Sequence, residues 1–144
     1  MFYIGFTSAP RVDEEGWRYA SGGLELGNDA DSFSADLTAW TIQDYEKQWR
    51  EGVARLAAGR SSSALITSYA GPDAGFHSMW PMWKIGDQVV FHEHLVPNEV
   101  IAQSDVIGSF YAAVGERRTR SEDGEAISEW LVPFAEVLSY LATE

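Results

Sequence analysis

The sequence predicts an α+β fold: a single domain over residues 1–144, built on a mostly antiparallel β-sheet with about three helices. Three observations carry that prediction. Several short runs alternate apolar and polar residues, and turn residues separate them at hairpin spacing. Other stretches repeat apolar residues every three or four positions, which is the helical period. A chain of 144 residues that is 45% hydrophobic, with 6 Trp, 6 Tyr and 7 Phe, is long and apolar enough to bury one core.

Phe2, Ile4 and Phe6 fall on one face and Tyr3 with Thr7 on the other, a first strand leading to the charged turn Asp13-Glu14-Glu15-Gly16. Residues 17–27 alternate again, with Leu24 and Leu26 on one face, and Gly22-Gly23 inside this run predicts a bulge. Asn28-Asp29-Ala30-Asp31 is turn chemistry ahead of a strand through Ser32-Phe33-Ser34-Ala35-Asp36-Leu37. From Ile42 the pattern becomes helical, with Ile42, Tyr45, Trp49, Val53 and Leu56 in one stripe. Thr41 is placed to cap that helix with Asp44 three residues on, and Gly59 is the expected stop. Glu46 with Arg50, and Glu51 with Arg55, are spaced for ion pairs on its outer face.

Residues 64–69 form a strand, Gly71-Pro72-Asp73-Ala74-Gly75 a turn, and residues 76–83 a second strand. Ile85-Gly86-Asp87 then turns into a third over residues 88–95, completing a β-meander. Pro81 has no N–H to give a ladder, so it predicts an edge position or a bulge in the middle strand. Ser104 is the expected cap of a helix through Val106, Ile107, Phe110 and Val114 to Gly115. Residues 125–132 read as the last strand. Pro133 opens a terminal helix with Phe134, Val137, Leu138 and Leu141 facing inward.

Charge narrows the function. Lys and Arg number 10 against 22 Asp and Glu, a formal charge of −12. Such a field repels phosphate backbones and steers in a basic partner, so nucleic acid is not the expected ligand. Solubility alone also accounts for acidity. With no cysteine, the chain has neither a disulfide framework nor a thiolate metal site. The apolar start Met1-Phe2-Tyr3-Ile4-Gly5-Phe6 lacks the basic leader of a secretory signal, and no stretch approaches the ~20 apolar residues of a membrane span. The expectation is a cytoplasmic location and no membrane partner.

Each chemical motif has a plainer structural reading beside it. His92 and His94 share a strand face and His77 lies in the preceding strand, so the three are spaced to converge on zinc, which would make a small metal-dependent enzyme. Glu93 points to the opposite face, however, and leaves them without a general base; a hydrogen-bonded strand face is the plainer reading. Ser61-Ser62-Ser63 lacks the glycines of a nucleophile elbow. Gly22-Gly23 and Gly71-Pro72 lack the downstream Lys-Ser or Lys-Thr of a phosphate loop. No catalytic residue, metal ligand or cofactor is therefore expected.

Met79-Trp80-Pro81-Met82-Trp83 is either buried on both faces or offers Trp and Met as an adaptable protein-binding anchor. Aromatic strands on a sheet also fit a single-strand nucleic-acid binder, a reading the charge opposes. Glu116-Arg117-Arg118-Thr119-Arg120, running into Ser121-Glu122-Asp123-Gly124, is a solvated loop or a contact surface.

Three strings have a further meaning: Asp44-Tyr45-Glu46-Lys47-Gln48-Trp49, Ser63-Ala64-Leu65-Ile66-Thr67-Ser68-Tyr69 and Asp123-Gly124-Glu125-Ala126-Ile127-Ser128-Glu129-Trp130. In that order, with Trp40-Thr41-Ile42 before the first and Glu116-Arg117 before the last, the chain resembles the immunity proteins (CdiI) of bacterial contact-dependent growth-inhibition systems. The resemblance runs from Asp36 to the C-terminus and leaves residues 1–35 unmatched. It implies a non-enzymatic protein that binds the C-terminal toxin domain of a cognate CdiA protein, a basic nuclease, and blocks its access to substrate. Trp80, Trp83, Glu93, Arg117, Glu122, Asp123 and Glu125 are the candidate toxin-binding residues.

Overall fold

The computed structural model describes residues 1–143, which form two antiparallel sheets and three helices around a common core. The α+β class is as predicted. The strands, however, are divided between two sheets. In the first, β3 (Arg18–Leu26) lies centrally, with β4 (Asp29–Asp36) on one side and β1 (Phe2–Phe6) and β2 (Arg11–Val12) on the other. The Asp13 carboxylate accepts the Glu15 and Trp17 amides to close the turn between β2 and β3.

Gly22 and Gly23 pair in unbroken register with both neighbouring strands, so the bulge expected there does not form. Close packing explains the glycine. A Cβ at Gly22 would lie 2.3 Å from Phe33 Cζ, because the Phe33 ring crosses the bare backbone. The β3–β4 turn is Gly27-Asn28, with Gly27 at φ 72°, and not the four residues from Asn28; Asp29 to Asp31 already belong to β4.

Helix α1 (Ile42–Ala57) has the predicted boundaries. Thr41 Oγ1 accepts from the Asp44 amide at 3.2 Å and the Asp44 carboxylate accepts from the Thr41 amide at 2.8 Å, a complete capping box. At the other end Gly59 (φ 100°) lets its own amide reach Leu56 O, and that of Arg60 reach Arg55 O, the paired bonds of a Schellman motif. The expected ion pairs on the outer face do not close. Arg50 donates instead to the Leu141 and Thr143 carbonyls, and Arg55 lies 3.8 Å from the Tyr111 ring centroid.

The second sheet contains β5 (Ser62–Ser68), β6 (Phe76–Ile85), β7 (Gln88–Phe91), β8 (His94–Pro97) and β9 (Trp130–Pro133). Pro81 sits within β6, flanked on both sides and in register with its neighbours, so neither the edge nor the bulge expected for it is found. Its C=O accepts from the His92 amide at 3.2 Å, but it has no N–H to return. The facing strand therefore breaks at His92-Glu93, splitting the predicted 88–95 strand into β7 and β8. The bulge in this sheet falls at Thr67 of β5.

Helix α2 (Val106–Ala113) is capped by Asp105, whose carboxylate accepts from the Gly108 amide, and not by Ser104. The final strand is shorter than predicted. Of the predicted residues before Glu129, Ala126 makes only an isolated bridge to Arg120. Helix α3 (Phe134–Ser139) follows Pro133 directly. Phe2 of β1 stacks on Phe91 of β7 at 5.4 Å, and Phe6 and Phe33 both pack on Trp49, which joins the two sheets and α1 into one core.

Side chains of α1 close the outer edge of β5. Gln48 Nε2 donates to Ala64 O at 2.8 Å, Gln48 Oε1 accepts from Ile66 N at 2.7 Å, and Trp49 Nε1 donates to Ile66 O at 2.7 Å. These groups replace the strand that would otherwise pair there.

Candidate interaction surface

The three histidines do not form a ligand set. His77 Nδ1 accepts from the Ala70 amide at 3.0 Å, which leaves Nε2–H to donate to Asn98 Oδ1 at 2.7 Å. His92 is buried and meets Glu129 Oε2 at 2.8 Å. His94 is half-buried, and its imidazole is held below its ordinary range by burial first and the neighbouring His92 second. Among the described residues no group of three His, Cys, Asp or Glu is arranged to hold a metal. The metal-enzyme alternative therefore loses its geometry.

Glu129 ties the late segments together. It receives a two-pronged contact from Arg117, Nε to Oε2 and Nη2 to Oε1, both at 2.7 Å, in addition to His92. Those Arg117 bonds, and then His92, pull its carboxyl down to about 2 against the opposing effect of burial. Arg117 is thus committed within the chain. Beyond it Ser121 N donates to Glu125 O and Ile127 N to Thr119 O, so residues 119–127 form a hairpin. Gly124 at φ 81° turns its tip, and Glu122, Asp123 and Glu125 stand exposed on it.

Trp80 and Trp83 are not on the surface. Trp80 is 0% exposed and its ring lies 5.0 Å from that of Trp130, while Trp83 is buried and donates Nε1–H to Gly115 O at 3.0 Å. Of the two readings open for the Met79-Trp80-Pro81-Met82-Trp83 run, burial on both faces is the one found, so Trp80 and Trp83 offer no anchor or stacking platform on the surface. Glu93 is exposed at the break between β7 and β8. Partial burial and the charge of Asp31, brought over by β4, push its carboxyl up. The candidate residues thus divide: two form core, Arg117 buttresses Glu129, and Glu93, Glu122, Asp123 and Glu125 present negative charge.

Sequence reasoning missed Leu95. The residue is 73% exposed, beside a groove of about 370 Å³ between β8 and α2 lined by Met79, Val96, Val100, Ala112 and Ala113 among others. The signal was available in the alternation of His94, Leu95 and Val96. It was obscured because the strand was expected to run unbroken from residue 88.

Residues 35–140 match the model of the CdiI N-terminal domain family. A chain of the solved CdiA-CT/CdiI toxin and immunity complex from Enterobacter cloacae is similar over 99% of this chain and 97% of its own, with a TM-score of 0.87 and 22% sequence identity. At that identity the likeness speaks to the fold. No curated protein matches the sequence.

Proposed function

The chain belongs to the CdiI N-terminal domain family, and on that footing we propose that it is an immunity protein, which binds the C-terminal toxin domain of a cognate CdiA protein and neutralises it without chemistry of its own. The family match over residues 35–140 carries this reading. The charge of −12 supports a basic toxin, a nuclease in the simplest case, because a basic nucleic-acid-binding face is complementary to an acidic inhibitor. Occupation of that face by the chain would keep RNA or DNA from the toxin's active site. The meeting place is the cytoplasm of the protected cell.

Glu93, Glu122, Asp123 and Glu125 act as a charged rim that speeds encounter, while apolar contacts hold the complex. Co-expression with the toxin domain encoded by the neighbouring reading frame tests the proposal. The expected result is survival of cells that die when the toxin is expressed alone. Death at equal rates with and without the chain contradicts it.

A further inference from the structure

The second sheet treats its outer edges differently. At β5, Gln48 and Trp49 occupy the outward carbonyl of Ala64 and the outward amide and carbonyl of Ile66. At β9, the β3–β4 turn stands alongside, with the Cβ position of Gly27 3.9 Å from Leu131 O. Strand β8 has neither arrangement.

Met79 pairs with His94 and His77 with Val96, in phase with the His92 amide that bonds Pro81 O. Alternation then directs the N–H and C=O groups of Glu93 and Leu95 away from β6. Among the described residues none of these groups has a hydrogen-bond partner. Beside this open edge the Leu95 and Val100 side chains are 73% and 50% exposed, and the groove of about 370 Å³ runs between β8 and α2. An exposed edge with an apolar groove alongside is a template for strand addition.

We propose that β8 receives an extended strand of the toxin domain, which pairs with the backbone of residues 93 and 95, sends alternate apolar side chains into the groove, and sets basic side chains against Glu93. This inference rests on the immunity reading. Charge selects the occupant. A second copy of the chain would bring −12 against −12, and two-fold pairing centred on Leu95 would oppose Glu93 to Pro97, which has no N–H to give. A basic strand meets Glu93, the nearby Asp31 and the exposed Glu99 favourably.

Hydrogen exchange on the wild-type chain, alone and with the neighbouring frame's toxin domain, reads the edge directly. The amides of Glu93 and Leu95 are expected to exchange freely in the isolated chain and to slow by about tenfold or more in the complex. Leu95→Pro removes one outward amide without touching the β6 ladder. It should weaken toxin binding by about tenfold or more at an unchanged unfolding midpoint, while Leu131→Ala binds as wild type. If the wild-type complex forms, but both amides exchange as in the free chain and Leu95→Pro binds as tightly, the edge proposal falls and the immunity reading stands. Protection of these amides in a dimer of the chain alone overturns it in favour of self-pairing. If no complex forms at all, both fall.

Discussion

Gln48→Met keeps the volume and unbranched shape of a fully buried side chain and deletes its amide, so it isolates the contribution of the substitute strand at the β5 edge. The amide satisfies the Ala64 carbonyl at 2.8 Å and the Ile66 amide at 2.7 Å, and also meets the Tyr111 hydroxyl at 3.2 Å. Each buried backbone group left without a partner costs about 1–3 kcal/mol. Two such groups predict a loss of about 2–6 kcal/mol, and the near-isosteric exchange itself adds under about 1.5 kcal/mol. Urea unfolding followed by tryptophan fluorescence measures this, with Lys47→Ala on the exposed face of the same helix as the reference, expected within about 0.5 kcal/mol of wild type. The midpoint should fall with the slope unchanged. If Gln48→Met lies within about 0.5 kcal/mol of Lys47→Ala, the amide does not act as a strand edge and the account of α1 is wrong.

Trp49→Ala should destabilise by about 3–5 kcal/mol, because it empties a fully buried site and frees the Ile66 carbonyl, whereas Glu46→Ala, at an exposed residue unpaired with Arg50, should cost a few tenths at most on the same unfolding assay. The carboxyl of Glu129 is lowered from 4.5 to about 2, so its stabilisation is complete above 4.5 and is lost as pH falls through 2. Glu129→Gln should therefore flatten the stability profile across that window, and an unchanged acid limb would refute the Arg117 and His92 pairing. His77→Ala should cost about 1–3 kcal/mol by stranding the Ala70 amide and Asn98, and the protein as purified should carry no stoichiometric zinc on elemental analysis. Glu122→Lys with Asp123→Lys should slow association with the toxin domain more than it speeds dissociation, as read by surface plasmon resonance, with the wild-type rate falling as salt rises.

Local physics made much of the fold legible. The capping box at Thr41, the glycine stop at Gly59 and the buried stripe of α1 need only neighbours in sequence, and all three are present. Departures arise where a distant residue decides. Gly22 is explained by Phe33 from the next strand, the β7–β8 break by Pro81 across the ladder, and the fate of Arg50 and Arg55 by the C-terminal segment and Tyr111. A single sequence does not reveal such pairings.

The strings that carried the family resemblance prove largely structural. Asp44 caps, Gln48 and Trp49 close an edge, and Glu129 gathers Arg117 and His92. That explains why they identify the family, whose model matches residues 35–140, and say little about which residues face a partner. Alternation alone leaves Trp80 and Trp83 open between core and surface, and the covering of both sheet faces, which depends on distant elements, decides for core.

Inhibition by stoichiometric binding is tested most directly by titrating the purified toxin domain's activity on its own substrate with the purified chain. Activity is expected to fall linearly and reach zero at a fixed small ratio, with the titrated pair eluting as a stable complex. Toxin that stays fully active in excess chain, or a chain that binds single-stranded RNA or DNA in a salt-sensitive manner and ignores the toxin, would contradict it.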